Sequence, residues 1–183
     1  KKDEIIEEMK KKGFEYFSWG AAKHYESPLD IGTLFASKYA FEELNFTLPM
    51  ESHYGGGGGA VAVYIPEKNL SVLAVHLSLD EGELSKQVKA VSSFVKRQED
   101  KNRRVVLMGD FNVEEKKLDS SKDFEELGLR GANKKKTSPD IDVLKPFDFE
   151  SVDNIFYDSS FKLKKSGVVD GYSDHKLVWA DLV

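Results

Sequence analysis

Cysteine is absent from all 183 residues, which excludes disulfides and every metal site built on thiolates. Such a chain suits a reducing compartment, and the cytoplasm is the expected location. Long apolar runs are missing as well, so no segment reads as a membrane span or a signal peptide, and no membrane insertion is expected. Positive charge is not in excess: Lys and Arg number 27 against 32 acidic residues, a formal net charge of −5. A protein that gripped duplex nucleic acid over its whole surface by counterion release would be basic. A nuclease remains open, because a bound cation can invert the field of one local site. What the chain does have, 40% hydrophobic and 11% aromatic residues, is enough for one domain over residues 1–183 with a substantial core. No obligate protein partner is evident.

Arg104 to Glu114 organises the rest. Val105 to Met108 are continuous, apolar and partly β-branched, the pattern of a strand buried on both faces. Gly109 is expected to end that strand and turn the chain, leaving Asp110 and Asn112 at its C-terminal end, where open α/β sheets place their sites. Alternation would point Asp110 and Asn112 to one side and Phe111 to the other. A carboxylate beside a carboxamide suits chemistry at phosphorus, although Gly, Asp and Asn are also ordinary turn residues. Leu70 to Ser78 is a second apolar strand, delivering His76 near its end. Tyr172 to Trp179 carries the adjacent Asp174 and His175 just before a last apolar strand, and Val152-Asp153-Asn154-Ile155-Phe156 lies between.

The remaining elements follow from spacing and punctuation. Asp3 to Lys12 reads as an amphipathic helix capped by Asp3 and stopped at Gly13. Strands are expected at Phe14 to Trp19, Gly32 to Ser37 and Ala60 to Ile65, with an irregular connection over Phe41 to Pro49. His24 falls in a polar loop, where most histidines do nothing chemical. The five glycines Gly55 to Gly59 read as a linker-like loop, since a phosphate cradle would need a helix to follow and a strand follows instead. Glu81 to Gln98 is the best helix, with Leu84, Val88, Val91 and Val95 at helical spacing. A short helix is expected near Lys122 to Leu127. The cluster Lys134, Lys135 and Lys136 is either a solvated charge run or a patch that steers an anionic substrate. Strands at Val152 to Tyr157, Phe161 to Lys165 and Lys176 to Val183 complete an α/β fold with sheets inside and helices outside.

In chain order the polar motifs are His-Leu, Gly-Asp-Phe-Asn, Asp-x-Ile and Ser-Asp-His. This set resembles the endonuclease/exonuclease/phosphatase superfamily, which includes deoxyribonuclease I, exonuclease III and the neutral sphingomyelinases. The resemblance implies a deoxyribonuclease I-like α/β sandwich of two packed sheets flanked by helices, and a divalent-metal-dependent phosphoesterase. Asp110 would orient or deprotonate the attacking water, and Asn112 would donate to a non-bridging oxygen. His76 would bind the phosphate or protonate the leaving oxygen. His175 would act as acid, base or phosphate clamp, with Asp153 fixing its tautomer. Asp174 matches a carboxylate associated with the metal, Mg2+ or Mn2+. Nucleic acid is the expected substrate, and the histidine at position 76 argues against abasic-site repair. The alternatives are a phosphoinositide or phospholipid phosphoesterase and a non-catalytic, partner-binding module. Members of the superfamily begin with two strands bearing an Asn and a metal-binding Glu. The sequence given starts after both, which implies a domain incomplete at its N-terminus, with weak Mg2+ binding.

Overall fold

A computed structural model describes residues 2–22, 32–49, 58–112, 124, 126–135, 137, 152–171, 173 and 175–183. Helix α1 spans Lys2–Lys11, with Asp3 inside its first turn rather than capping it. Next come β1 (Tyr16–Ala21), β2 (Gly32–Ser37), β3 (Glu42–Glu43), β4 (Ala60–Ile65), a 3-10 turn and β5 (Leu70–His76). Then follow α2 (Glu81–Glu99), β6 (Arg104–Asp110), β7 (Arg130–Gly131), β8 (Asp153–Tyr157), β9 (Leu163–Val169) and β10 (Leu177–Leu182). The connection expected to be irregular thus contains the short edge strand β3, which pairs with β4. Of the short helix expected near Lys122 to Leu127, Phe124 and Glu126 are helical and the rest lies mostly outside the described residues.

Among the described residues, six strands form a central sheet in the order β3-β4-β5-β6-β8-β7. Strands β5 and β6 are parallel, and a parallel pair needs a crossover, which α2 supplies. Asp80 caps α2 by accepting the Glu83 N–H at 2.8 Å. Side-chain alternation sorts the core into two faces. Leu73, Val75, Val105, Leu107 and Phe156 meet Val88, Val91, Phe94 and Val95 of α2 on one face. On the other face, Val72 and Ala74 join Phe35 of the antiparallel hairpin β1–β2. Val106, Ile155 and Tyr157 there meet Leu163, Ala180 and Leu182 of the antiparallel hairpin β9–β10. The architecture is therefore a central sheet with strand hairpins over one face and a helix over the other, the expected α/β sandwich.

Three glycines behave differently from their sequence reading. Gly109 does not end its strand: β6 runs through it to Asp110. Its φ is +134°, and a Cβ there would lie 1.9 Å from the Val75 carbonyl oxygen. The residue is glycine because strand β5 passes too close for a side chain. Gly58 and Gly59, at the end of the glycine run, are buried and hydrogen-bonded to His76, with Gly58 N–H to His76 O at 2.8 Å and His76 N–H to Gly59 O at 3.0 Å. A Cβ on Gly59 would fall 2.5 Å from the Thr33 nitrogen. These two residues extend the β4–β5 pairing, so the linker reading fails for them; Gly55 to Gly57 lie outside the described residues.

Candidate active site at one end of the central sheet

Strand register brings the polar residues together. His76 pairs across with Asp110, and Asp110 pairs with Asp153. The three residues thus form a row over adjacent strands at one end of the sheet. Parity places them on one face: His76 follows Val72 and Ala74, Asp110 follows Val106 and Met108, and Asp153 precedes Ile155 and Tyr157. This is the face covered by β9–β10, so His175, two residues before β10, reaches the row from the second layer. Its Nδ1 lies 2.8 Å from Asp153 Oδ2 and 3.8 Å from Asp110 Oδ2. His76 Nε2 stands 3.7 Å from the same Asp110 oxygen. One carboxylate oxygen therefore faces two imidazoles at distances too long for hydrogen bonds.

The other Asp110 oxygen accepts the Asn112 N–H at 2.8 Å. That short turn holds Asn112 at φ +52°, a conformation asparagine tolerates better than most residues. The Asn112 amide group donates to the Leu77 carbonyl at 2.6 Å, and Leu77 N–H returns to the Asp110 carbonyl at 2.9 Å. Phe111 turns the opposite way into the helix-side core, edge-on to Phe156. Burial pushes the Asp110 carboxyl above its ordinary range. The Asn112 N–H opposes this shift, the Asp153 charge adds to it, and the two imidazoles oppose it. A carboxylate raised this way is a stronger base than one in water.

Five of the six expected site residues, His76, Asp110, Asn112, Asp153 and His175, are thus gathered at one sheet end. Asp174 lies outside the described residues, as do His24 and Lys136. Lys134 and Lys135 are exposed, and Lys134 lines a cavity of about 640 Å³ at the β7 edge with Arg130, Tyr157 and Leu163, among others.

Sequence reading missed the residues that hold the row in place. Gln87, fully buried on α2, accepts the Ser78 N–H at 2.8 Å and donates to the Pro49 carbonyl at 3.0 Å, which pins the turn after β5. Asn133, Thr137 and Asn154 are also buried and surround the Asp153 backbone. No periodic signal marks a buried polar residue in a polar loop. Asn133 and Thr137 lie 20 and 16 positions before Asp153, and nothing in the sequence ties them to that aspartate.

The sequence profile of the Endonuclease/Exonuclease/phosphatase family matches residues 7–175. The chain belongs to this family. Its fold is shared with a mannosyl-6-phosphatase from Bacteroides thetaiotaomicron VPI-5482, 20% identical, with a TM-score of 0.70 over 98% of this chain and 81% of that one. A 3′ phosphatase from Neisseria, solved with a product DNA hairpin, is 16% identical with a TM-score of 0.67 over 97% of this chain and 82% of that one. A family protein from Beutenbergia cavernae DSM 12333 is 19% identical with a TM-score of 0.72 over 98% of this chain and 56% of that one. Identities this low show a common fold and no more. No curated protein matches the sequence. Membership in the endonuclease/exonuclease/phosphatase family makes hydrolysis of phosphate esters the chemistry to be explained.

Proposed function

We propose that this chain is a divalent-metal-dependent phosphoesterase that hydrolyses phosphodiester bonds of nucleic acid. The observation that carries the reading is the Asp110 oxygen placed 3.7 Å from His76 Nε2 and 3.8 Å from His175 Nδ1, with Asp153 hydrogen-bonded behind His175. In this mechanism Asp110 draws the proton from an attacking water, its raised proton affinity matching that task. With Asp153 accepting from Nδ1–H, His175 presents Nε2 as the working atom, fixed in tautomer and ring orientation. His76, the more exposed imidazole at 43% against 31% for His175, binds a phosphate oxygen or protonates the leaving one. Asn112 keeps the Asp110 turn closed and offers its remaining amide capacity to a non-bridging oxygen.

Asp110, Asp153 and His175 bring one donor atom each within 4.8 Å of one another. The two carboxylates fit a hard cation such as Mg2+ or Mn2+, whereas His175 Nδ1 is committed to Asp153. By sequence the holder would be Asp174, and Asp110 and Asp153 would add negative charge near the cation while keeping their roles toward the water and His175. Such a cation, when bound, neutralises charge that develops on the phosphoryl oxygens.

The Neisseria enzyme solved with a DNA hairpin supports a nucleic-acid substrate by analogy of fold. One observation favours the phospholipid or phosphoinositide alternative: Val169, Leu177 and Trp179 expose apolar side chains on β9–β10, whose second strand begins two residues after His175. Single-stranded DNA, duplex DNA, RNA and phospholipid vesicles, each offered with Mg2+ and with chelator, separate the readings. Metal-dependent cleavage of a nucleic acid supports the proposal. Cleavage of the phospholipid alone would replace it with the alternative, and no cleavage of any substrate would favour a binding module.

A further inference from the structure

Strand β7 is too short to cover its neighbour. Its two residues pair with Tyr157 and Phe156, and Ala132 N–H continues to the Ile155 carbonyl at 2.8 Å. Beyond that point β8 would leave the Asp153 backbone without a ladder partner on this side, and side chains take over. Thr137, fully buried, accepts the Asp153 N–H on its Oγ1 at 3.1 Å. Asn133 donates from Nδ2 to the Asp153 carbonyl at 3.1 Å. Asn133 is fixed in turn by Asn154, which accepts the Asn133 N–H at 2.9 Å and donates to its carbonyl at 3.1 Å. Thr137 does one thing more. Its carbonyl accepts the Lys176 N–H at 3.0 Å, from the residue directly after His175. A single buried residue therefore touches both chain segments that carry the Asp153–His175 pair, one through its side chain and one through its backbone.

We infer that Thr137 is the positioning residue for this pair, setting the distance at which Asp153 holds the His175 imidazole. Asp153 lies on β8 of the central sheet and His175, 22 positions further on, just before β10, and their 2.8 Å contact requires the two backbones to be registered within a fraction of that length. Of the hydrogen bonds described above, those of Thr137 alone span both backbones. A buried threonine needed for packing only would be replaced by valine of the same shape with little consequence for the pair. One that positions the pair would not, because valine cannot accept the Asp153 N–H and leaves it buried without a partner.

The inference takes the phosphoesterase reading for its activity arm only, and its spectroscopic arm is independent. The probes are the nitrogen-15 NMR signals of the His175 ring in metal-free buffer and the hydrolysis of bis(p-nitrophenyl) phosphate with Mg2+. The wild-type ring is expected to hold its proton on Nδ1 as one tautomer. Thr137→Val is expected to give a mixture of tautomers and to lower kcat by about 10- to 100-fold, the scale for losing a group that orients a reacting one, with KM unchanged. Thr137→Ser, which keeps the hydroxyl, should restore both. If Thr137→Val does not fold, Thr137→Ala deletes the same hydroxyl without adding volume and carries the same test. A single wild-type tautomer in the folded valine or alanine variant would overturn the inference, even with lowered stability. So would a serine variant that behaves like the valine one. If the wild type fails to hydrolyse the probe, the phosphoesterase reading suffers while the tautomer result still decides the role of Thr137.

Discussion

The two ends of the central sheet carry similar residue types and treat them in opposite ways. At the end away from the site, the Arg103 guanidinium stacks 3.6 Å from the Tyr64 ring centre and donates to Gln98 at 3.1 Å. Arg104 stacks on Phe161 at 3.6 Å and donates to Ser160 at 3.1 Å. The Asp158 carboxylate accepts the Val105 N–H and, at 2.8 Å, the Ser160 N–H. Charges there are closed by stacking and hydrogen bonds. At the other end Asp110 stands apart from both imidazoles by 3.7 and 3.8 Å, and the histidines are partly exposed. Burial raises a carboxyl at each end, Asp110 at one and Glu99 at the other, where Asp158 and Asp100 add to the shift. A perturbed acid is therefore not what marks the site. The mark is a rigidly held set in which one Asp110 oxygen faces two imidazoles at distances beyond hydrogen bonding.

Substitutions that touch one end should leave the other unmoved. His175→Ala carries the largest expected effect, a fall in turnover of about 10²- to 10⁴-fold with an unchanged thermal midpoint, read from phosphodiester hydrolysis beside a melting curve. Gly109→Ala should break the comparison itself. Its Cβ would meet the Val75 carbonyl at 1.9 Å in a backbone conformation that side chains disfavour, separating the strands that carry His76 and Asp110. A loss of about 2 to 4 kcal/mol in denaturant unfolding, together with lost activity, is expected.

Asp158→Ala acts on the closed end and leaves the Val105 N–H without its side-chain acceptor. Stability should fall by about 1 to 3 kcal/mol while kcat stays at the wild-type value; a reduced kcat in the folded variant would show that the two ends are coupled. The smallest effect on stability belongs to Asp110→Asn, and its sign depends on pH. Since burial raises the native carboxyl above its ordinary value of 3.8, the folded chain binds that proton more tightly than the unfolded one. Its stabilising contribution is complete below 3.8 and is lost as pH rises through the raised value. The asparagine variant should therefore melt higher than wild type at pH 7 in metal-free buffer, with the difference vanishing in acid.

Much of the open end was legible in the sequence because apolar runs that stop at His76 and Asp110 can be read without a structure. Strand register then does the rest, since pairing His76 with Asp110 and Asp110 with Asp153 follows once β5, β6 and β8 are neighbours. The glycines were harder. Whether Gly109 turns a chain or admits a neighbour depends on where the Val75 carbonyl lies, which is a fact about another strand. Thr137 and Asn133 were invisible for a related reason: in a stretch rich in lysine their polarity reads as exposure, while the structure buries them to complete the edge of β8. The hairpin β9–β10 was read short because β9 continues through Ser166 and Gly167, residues without strand propensity that stay in register by pairing with Ala180 and Trp179.

The central claim is that Asp153 acts through His175 within one site. A double-mutant cycle on phosphodiester turnover, comparing Asp153→Asn, His175→Ala and the two combined, tests it most directly. Each single variant should be slow, and the double variant no slower than His175→Ala alone. Losses that multiply in the double variant would contradict it, because they would mean that Asp153 and His175 serve the reaction independently.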